Sequence, residues 1–130
     1  MGKLYMGFRR LGPTDTAGRR EFDKPKVRVT DEDGQQHRLN AHRELLDHAG
    51  NGLDWGNRSP GAFQLAFALA YAVTGDVLRA KYVHQELLWR VVFMLPFVSW
   101  TLSEVYLRQV IADIENKDNV GELDEWHGDE

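Results

Sequence analysis

The chain of 130 residues contains no cysteine. Disulfides, thiolate nucleophiles and cysteine-based zinc or iron–sulfur sites are therefore excluded. Long apolar runs are also missing. The longest fully apolar stretch, Leu65 to Val73, is about half of what a bilayer-spanning helix requires. The opening MGKLYMGFRR has no apolar core of a signal peptide. Met6 stands where a myristoylation pattern needs Ser or Thr. A soluble, cytoplasmic protein without a membrane partner is expected. No HExxH and no phosphate-loop pattern occurs, and His42 and His48 are six apart rather than four. His37, His84 and His127 add no metal-ligand spacing, so neither a metal nor another cofactor is expected.

What is present is unevenly distributed. The net charge is −4, yet residues 113–130 hold eight acids and one base. The first thirty residues hold eight bases against three acids. A weakly basic body with an acidic end is the better electrostatic description. The length and this asymmetry predict one compact domain over residues 1–116 and an acidic, flexible tail over 117–130, with Trp126 its one large aromatic.

KLYMGFRR reads as a strand and LGPTDTAGRREFDKP as a loop. KVRVT alternates cleanly, Asp33-Gly34 is a hairpin turn signal, and HRLN is the return, giving a hairpin over residues 26–40. AHRELLDHAG predicts a short helix stopped at Gly50. Ser59-Pro60 is a helix start, because Ser caps well and Pro suits the first helical position. That helix is expected to run from Pro60 to Thr74, stopped by Gly75. Asp76 caps a second, from Val77 to about Leu95, ended by Pro96. FVSW reads as a connection. Thr101 and Glu104 read as a capping box opening a third helix with Leu102, Val105, Tyr106, Gln109, Val110 and Ile114 on one stripe. The fold class is thus α+β: an N-terminal antiparallel sheet of about three strands on three main helices.

The Pro60 helix is apolar nearly all round, the mark of a helix buried on every face. Gln64 is its polar exception. A buried amide needs partners, and the nearest in sequence is the loop DWGNR, which Gln64 would pin. The alternative is a small anionic ligand held at the helix start by Trp55, Asn57, Arg58, Ser59 and Gln64.

Trp55-Gly56, followed by Gln64-Leu65-Ala66 and Ala68-Leu69, and later Leu95-Pro96 with Trp100-Thr101-Leu102, resembles a family of small proteins of unknown function from prokaryotes, phages and other mobile elements. The resemblance covers about residues 51–103, and more loosely the N-terminal strand and hairpin. It implies one compact domain and no transferable activity. NRSPG replaces a more Gly-rich loop, and Ala62 stands where that family tends to have Pro.

Ser59 is explained as a cap, and Asp47 and Asp54 as loop acids, so a non-catalytic binding or regulatory protein acting through a protein partner is the leading expectation. The runner-up is nucleic-acid binding through Arg9, Arg10, Arg19, Arg20, Lys26 and Arg28, with Tyr5 and Phe8 available to stack on bases. Enzymatic or nucleotide chemistry at the helix start is a third reading. Trp89, Trp100 and Tyr106 offer an apolar face for a homodimer.

Overall fold

In the computed structural model, residues 2–9, 11–14, 20–22, 25–48 and 52–128 are described, the side chains of 11–14, 20–22 and 118–128 excepted. β1 (Leu4–Phe8), β4 (Lys26–Thr30), β5 (Gln36–Arg38) and β6 (Ser99–Ser103) form an antiparallel sheet in the order β5-β4-β1-β6. β2 (Leu11–Thr14) and β3 (Arg20–Phe22) pair as a separate two-stranded sheet. The helices are α1 (Pro60–Thr74), α2 (Val77–Arg90) and α3 (Glu104–Gly128). The α+β class expected from the sequence is the observed one. No helix among the described residues is long and apolar enough to cross a membrane.

The inner face of the sheet follows from alternation. Tyr5, Val27, Val29, Trp100 and Leu102 are buried, while Leu4, Phe8, Lys26, Arg28, Ser99 and Thr101 face outward. Gly7 lies opposite Trp100. A Cβ there would stand 2.3 Å from the indole, so only glycine lets that ring lie across the strand. Trp100 Nε1 has no hydrogen-bond partner among the described residues. α1 is buried nearly all round, from Gly61 to Ala70 with Phe63 partly so, and Leu65, Phe67 and Leu69 are fully enclosed. Burial of Phe67 and the leucines contributes roughly 1.5–3 kcal/mol each. Sheet and helices share one core cluster, completed by Val83, Leu87 and Leu88 of α2 and Leu107, Ile111 and Ile114 of α3.

The ends of α1 and the start of α2 are where the sequence puts them. Ser59 accepts from the Ala62 N–H, Gly75 adopts the left-handed conformation (φ 66°) as the stop of α1, and Asp76 accepts from the Leu78 and Arg79 N–H groups.

Four expectations are corrected. Residues 11–25 carry two short paired strands rather than only a loop. Residues 41–48 form no helix. His42 is left-handed (φ 55°) and its N–H bonds Asn40 Oδ1, while the Ala41 and Leu46 carbonyls turn to Gln64 instead of continuing a helical ladder. α2 ends at Arg90, and Val92–Met94 make a 3-10 turn. Leu95 is extended, as the residue before a proline tends to be.

The largest correction is β6. Thr101 and Leu102 pair with Met6 and Tyr5 instead of opening a helix. Ser103 is the cap, accepting from the Tyr106 N–H at 3.0 Å. The buried stripe of α3 is accordingly Leu107, Ile111 and Ile114, with Val110 partly buried, while Val105 and Tyr106 are exposed. The helical backbone of α3 runs on through residues 117–128.

Candidate functional site

The loop before α1 is organised around Asp54. Its backbone N–H bonds the Gly61 carbonyl at 3.1 Å, and a Cβ on Gly61 would lie 2.3 Å from the Gly52 carbonyl oxygen. Glycine thus lets the loop cross the first turn of α1. The Asp54 carboxylate accepts from the Trp55 N–H at 2.8 Å, Asn57 Nδ2 at 3.1 Å and Ser59 Oγ at 3.3 Å. It also pairs with Arg9, whose side chain is 8 % exposed. Arg9 Nε donates to the Phe97 carbonyl at 2.9 Å, and its guanidinium lies over the Trp55 and Phe97 rings at 4.5 and 4.2 Å. Burial pushes the Asp54 pKa up. The bonds from Arg9, Asn57 and the Trp55 N–H outweigh it and hold the carboxyl below its ordinary value. Trp55 is fully enclosed, donating Nε1 to the Phe97 carbonyl at 2.9 Å and standing edge-on to Trp100.

Gln64 is fully buried and faces another segment. Its Nε2 donates to the Ala41 and Leu46 carbonyls, both at 2.8 Å, and its Oε1 accepts from the His48 N–H at 3.0 Å. The pinning of DWGNR, which the sequence assigns to Gln64, is done by Asp54 and Arg9. Gln64 pins residues 41–48. The structure therefore brings Trp55, Asn57 and Ser59 together around Asp54 and sets Gln64 apart from them. Arg58 is exposed.

The basic set divides too. Arg10 and Arg19 lie outside the described residues, and the Arg20 side chain is not described. Arg9 is interior, and Tyr5 is buried with its phenol pushed up to about 12, mainly by desolvation. Neither reaches a ligand on the outer face, which corrects their assignment to a nucleic-acid surface. Lys26 and Arg28 are exposed on β4, and Arg28 lies directly opposite Arg38. Like charges opposed across a ladder are destabilising. Among the described residues no ion pair engages Lys26, Arg28 or Arg38.

Beside them opens a groove of about 570 Å³. Val27, Leu39 and Leu53 supply apolar lining, and Lys26, Arg38 and Arg43 supply charge. Arg43 is tied to Asp47 at 2.8 Å. Arg38 and Arg43 were not singled out from the sequence. The alternation of the hairpin places Arg38 on the face of Arg28, which is the signal that was available.

A second unforeseen cluster joins residues 41–48 to α2. His48 Nε2 and His84 Nε2 are 3.1 Å apart. His84 is 5 % exposed, and its Nδ1 lies 2.7 Å from the Lys81 carbonyl. That contact makes Nδ1 the donor in the neutral ring, so Nε2 accepts from His48. Desolvation lowers the His84 pKa, aided by His48, against the pull of the Lys81 carbonyl. Phe63 and Phe67 pack on the pair. Among the described residues no group of three or more His, Asp and Glu side chains converges as a metal cage would require.

No curated protein and no solved structure matches this chain. Residues 16–113 do match a family model, that of the family of unknown function DUF6166. The match extends beyond the stretch that carries the Trp-Gly and Gln-Leu-Ala motifs and takes in the hairpin, the groove and the start of α3 as far as Asp113. The chain belongs to this family of unknown function.

Proposed function

We propose that the chain is a small non-catalytic binding protein that recognises an acidic protein segment in the groove beside β4 and β5. The carrying observation is that groove itself: apolar residues Val27, Leu39 and Leu53 beside Lys26 and Arg38, two cations without ion-pair partners among the described residues. Such a site suits a peptide that alternates carboxylates with apolar side chains. The polar groups at the helix start support the same reading, because Asp54, Asn57, Ser59 and Gln64 all bond within the chain. A cytoplasmic location, a mobile-element origin and a regulatory role belong to this proposal.

A second reading rests on the opposed Arg28 and Arg38 and on Phe8, exposed on β1 opposite Lys26. That face offers cations and one stacking ring to a single-stranded nucleic acid.

The test is fluorescence anisotropy with two probes, a labelled peptide of alternating Glu and Leu and a labelled oligothymidylate. Peptide binding is expected to weaken by roughly tenfold or more in Lys26→Glu with Arg38→Glu. Oligothymidylate binding that falls steeply with salt and is lost in Arg28→Glu would transfer the function to nucleic acid. Binding of neither probe by the folded protein would overturn the groove as a recognition surface.

A further inference from the structure

We propose that the chain forms a homodimer through β6, two copies pairing antiparallel about a two-fold axis at Thr101. β6 is the terminal strand of the sheet, joined only to β1 among the described residues. The ladder with β1 continues at both ends, where the Arg9 N–H bonds the Val98 carbonyl and the Glu104 N–H bonds the Lys3 carbonyl. In an antiparallel ladder the residues that bond inward alternate with those that bond outward. Val98, Trp100, Leu102 and Glu104 therefore turn their backbone groups to β1. Ser99 and Thr101 turn theirs away from it.

The occupant follows from the strand's own pattern. Ser-Trp-Thr-Leu-Ser reads alike in both directions: small polar, large apolar, small polar, large apolar, small polar. A two-fold axis at Thr101 sets Ser99 opposite Ser103 of the second copy and Trp100 opposite Leu102. The outward-bonding groups then meet one another, and the buried residues of both copies lie on the same side of a continuous sheet. An isologous interface needs this self-complementarity.

The flanks agree. Val98 before the strand and Val105 and Tyr106 after it are 45 %, 64 % and 48 % exposed. The antiparallel register carries the start of each strand to the start of the other copy's α3, where these side chains can cover one another. The other sheet edge is built differently. β5 has three residues, all exposed, one of them Arg38, which is how sheets protect a free edge. β6 has five residues with no charge and no proline. The grooves beside β5 lie at the far ends of the joined sheet, so dimerisation and groove binding are separable.

Mass is read by light scattering after size exclusion, over roughly micromolar to several hundred micromolar protein. The expected result is a shift from 14.9 kDa toward twice that value as concentration rises. Thr101→Pro removes an N–H that faces away from β1 and places a ring at the outer edge, and should hold the chain at the single-copy mass. Because the native chain has no cysteine, Thr101→Cys should cross-link between copies under mild oxidation, much faster than Gln36→Cys on the opposite edge. If Thr101→Pro fails to fold, the cross-linking comparison decides alone. A single-copy mass throughout, or cross-linking no faster at position 101 than at 36, would overturn the proposal.

Discussion

Gln64 shows how one polar side chain organises a segment without secondary structure. Its amide replaces the bonds that a helix over residues 41–48 would have made for itself. Gln64→Leu keeps the bulk but strands the Ala41 and Leu46 carbonyls and the His48 N–H. The expected loss is about 2–4 kcal/mol in urea unfolding, more than a single typical hydrogen bond contributes. A loss below about 1 kcal/mol would mean that water replaces these bonds. The need for partners was legible in the sequence, because the apolar surroundings of Gln64 predict its burial. Which partners it takes was not. Ala41 and Leu46 are 23 and 18 residues away, and nothing local distinguishes them from DWGNR. The interior place of Arg9 is hidden in the sequence for a related reason. An arginine in a basic run looks solvated until a carboxylate 45 residues away closes over it.

At the scale of elements, the segments defined by their own termini are the ones found where expected. α1 and the start of α2 have a cap or stop written into adjacent residues, Ser59-Pro60, Gly75 and Asp76. Asp76→Ala should destabilise by about 1 kcal/mol, because two N–H groups of α2 lose their acceptor. Asp76→Asn should retain most of that stability, and urea titration of the three proteins checks the order. β6 is the counterexample. Thr101 and Glu104 satisfy a capping pattern, yet pairing with β1 overrides it. The strand fills the sheet edge and buries Trp100 and Leu102 on the core. A five-residue segment with both signals is settled by the partner it meets, and that partner lies about a hundred positions earlier in the chain.

For the whole molecule, the His48–His84 contact ties residues 41–48 to α2 and gives stability a dependence on acidity. His84 is held neutral by burial, with its pKa below the ordinary 6.5. The unfolded chain takes up the proton first. The contribution is therefore complete above about pH 6.5 and declines as pH falls toward the folded value. The thermal midpoint should drop by a few degrees between about pH 7 and pH 5. His84→Phe should flatten that slope, since Phe63 and Phe67 then surround a ring that does not titrate. An equal slope in His84→Phe would place the sensitivity elsewhere. Asp54 acts in a separate window. Its lowered pKa gives stability that is present above the ordinary carboxylate range and lost only in stronger acid.

The amino-acid sequence by itself determined the α+β class, the hairpin over residues 26–40, the largely buried helix α1 and its caps. Each rests on periodicity or on contacts within a few residues, which any isolated segment carries with it. Tertiary structure alone decided the β1–β6 pairing, the true buried face of α3, the interior role of Arg9 and the convergence of Lys26, Arg38 and Arg43 on one groove. Those depend on desolvation and hydrogen bonding between distant segments, whose free energy exists only once the chain has brought them together.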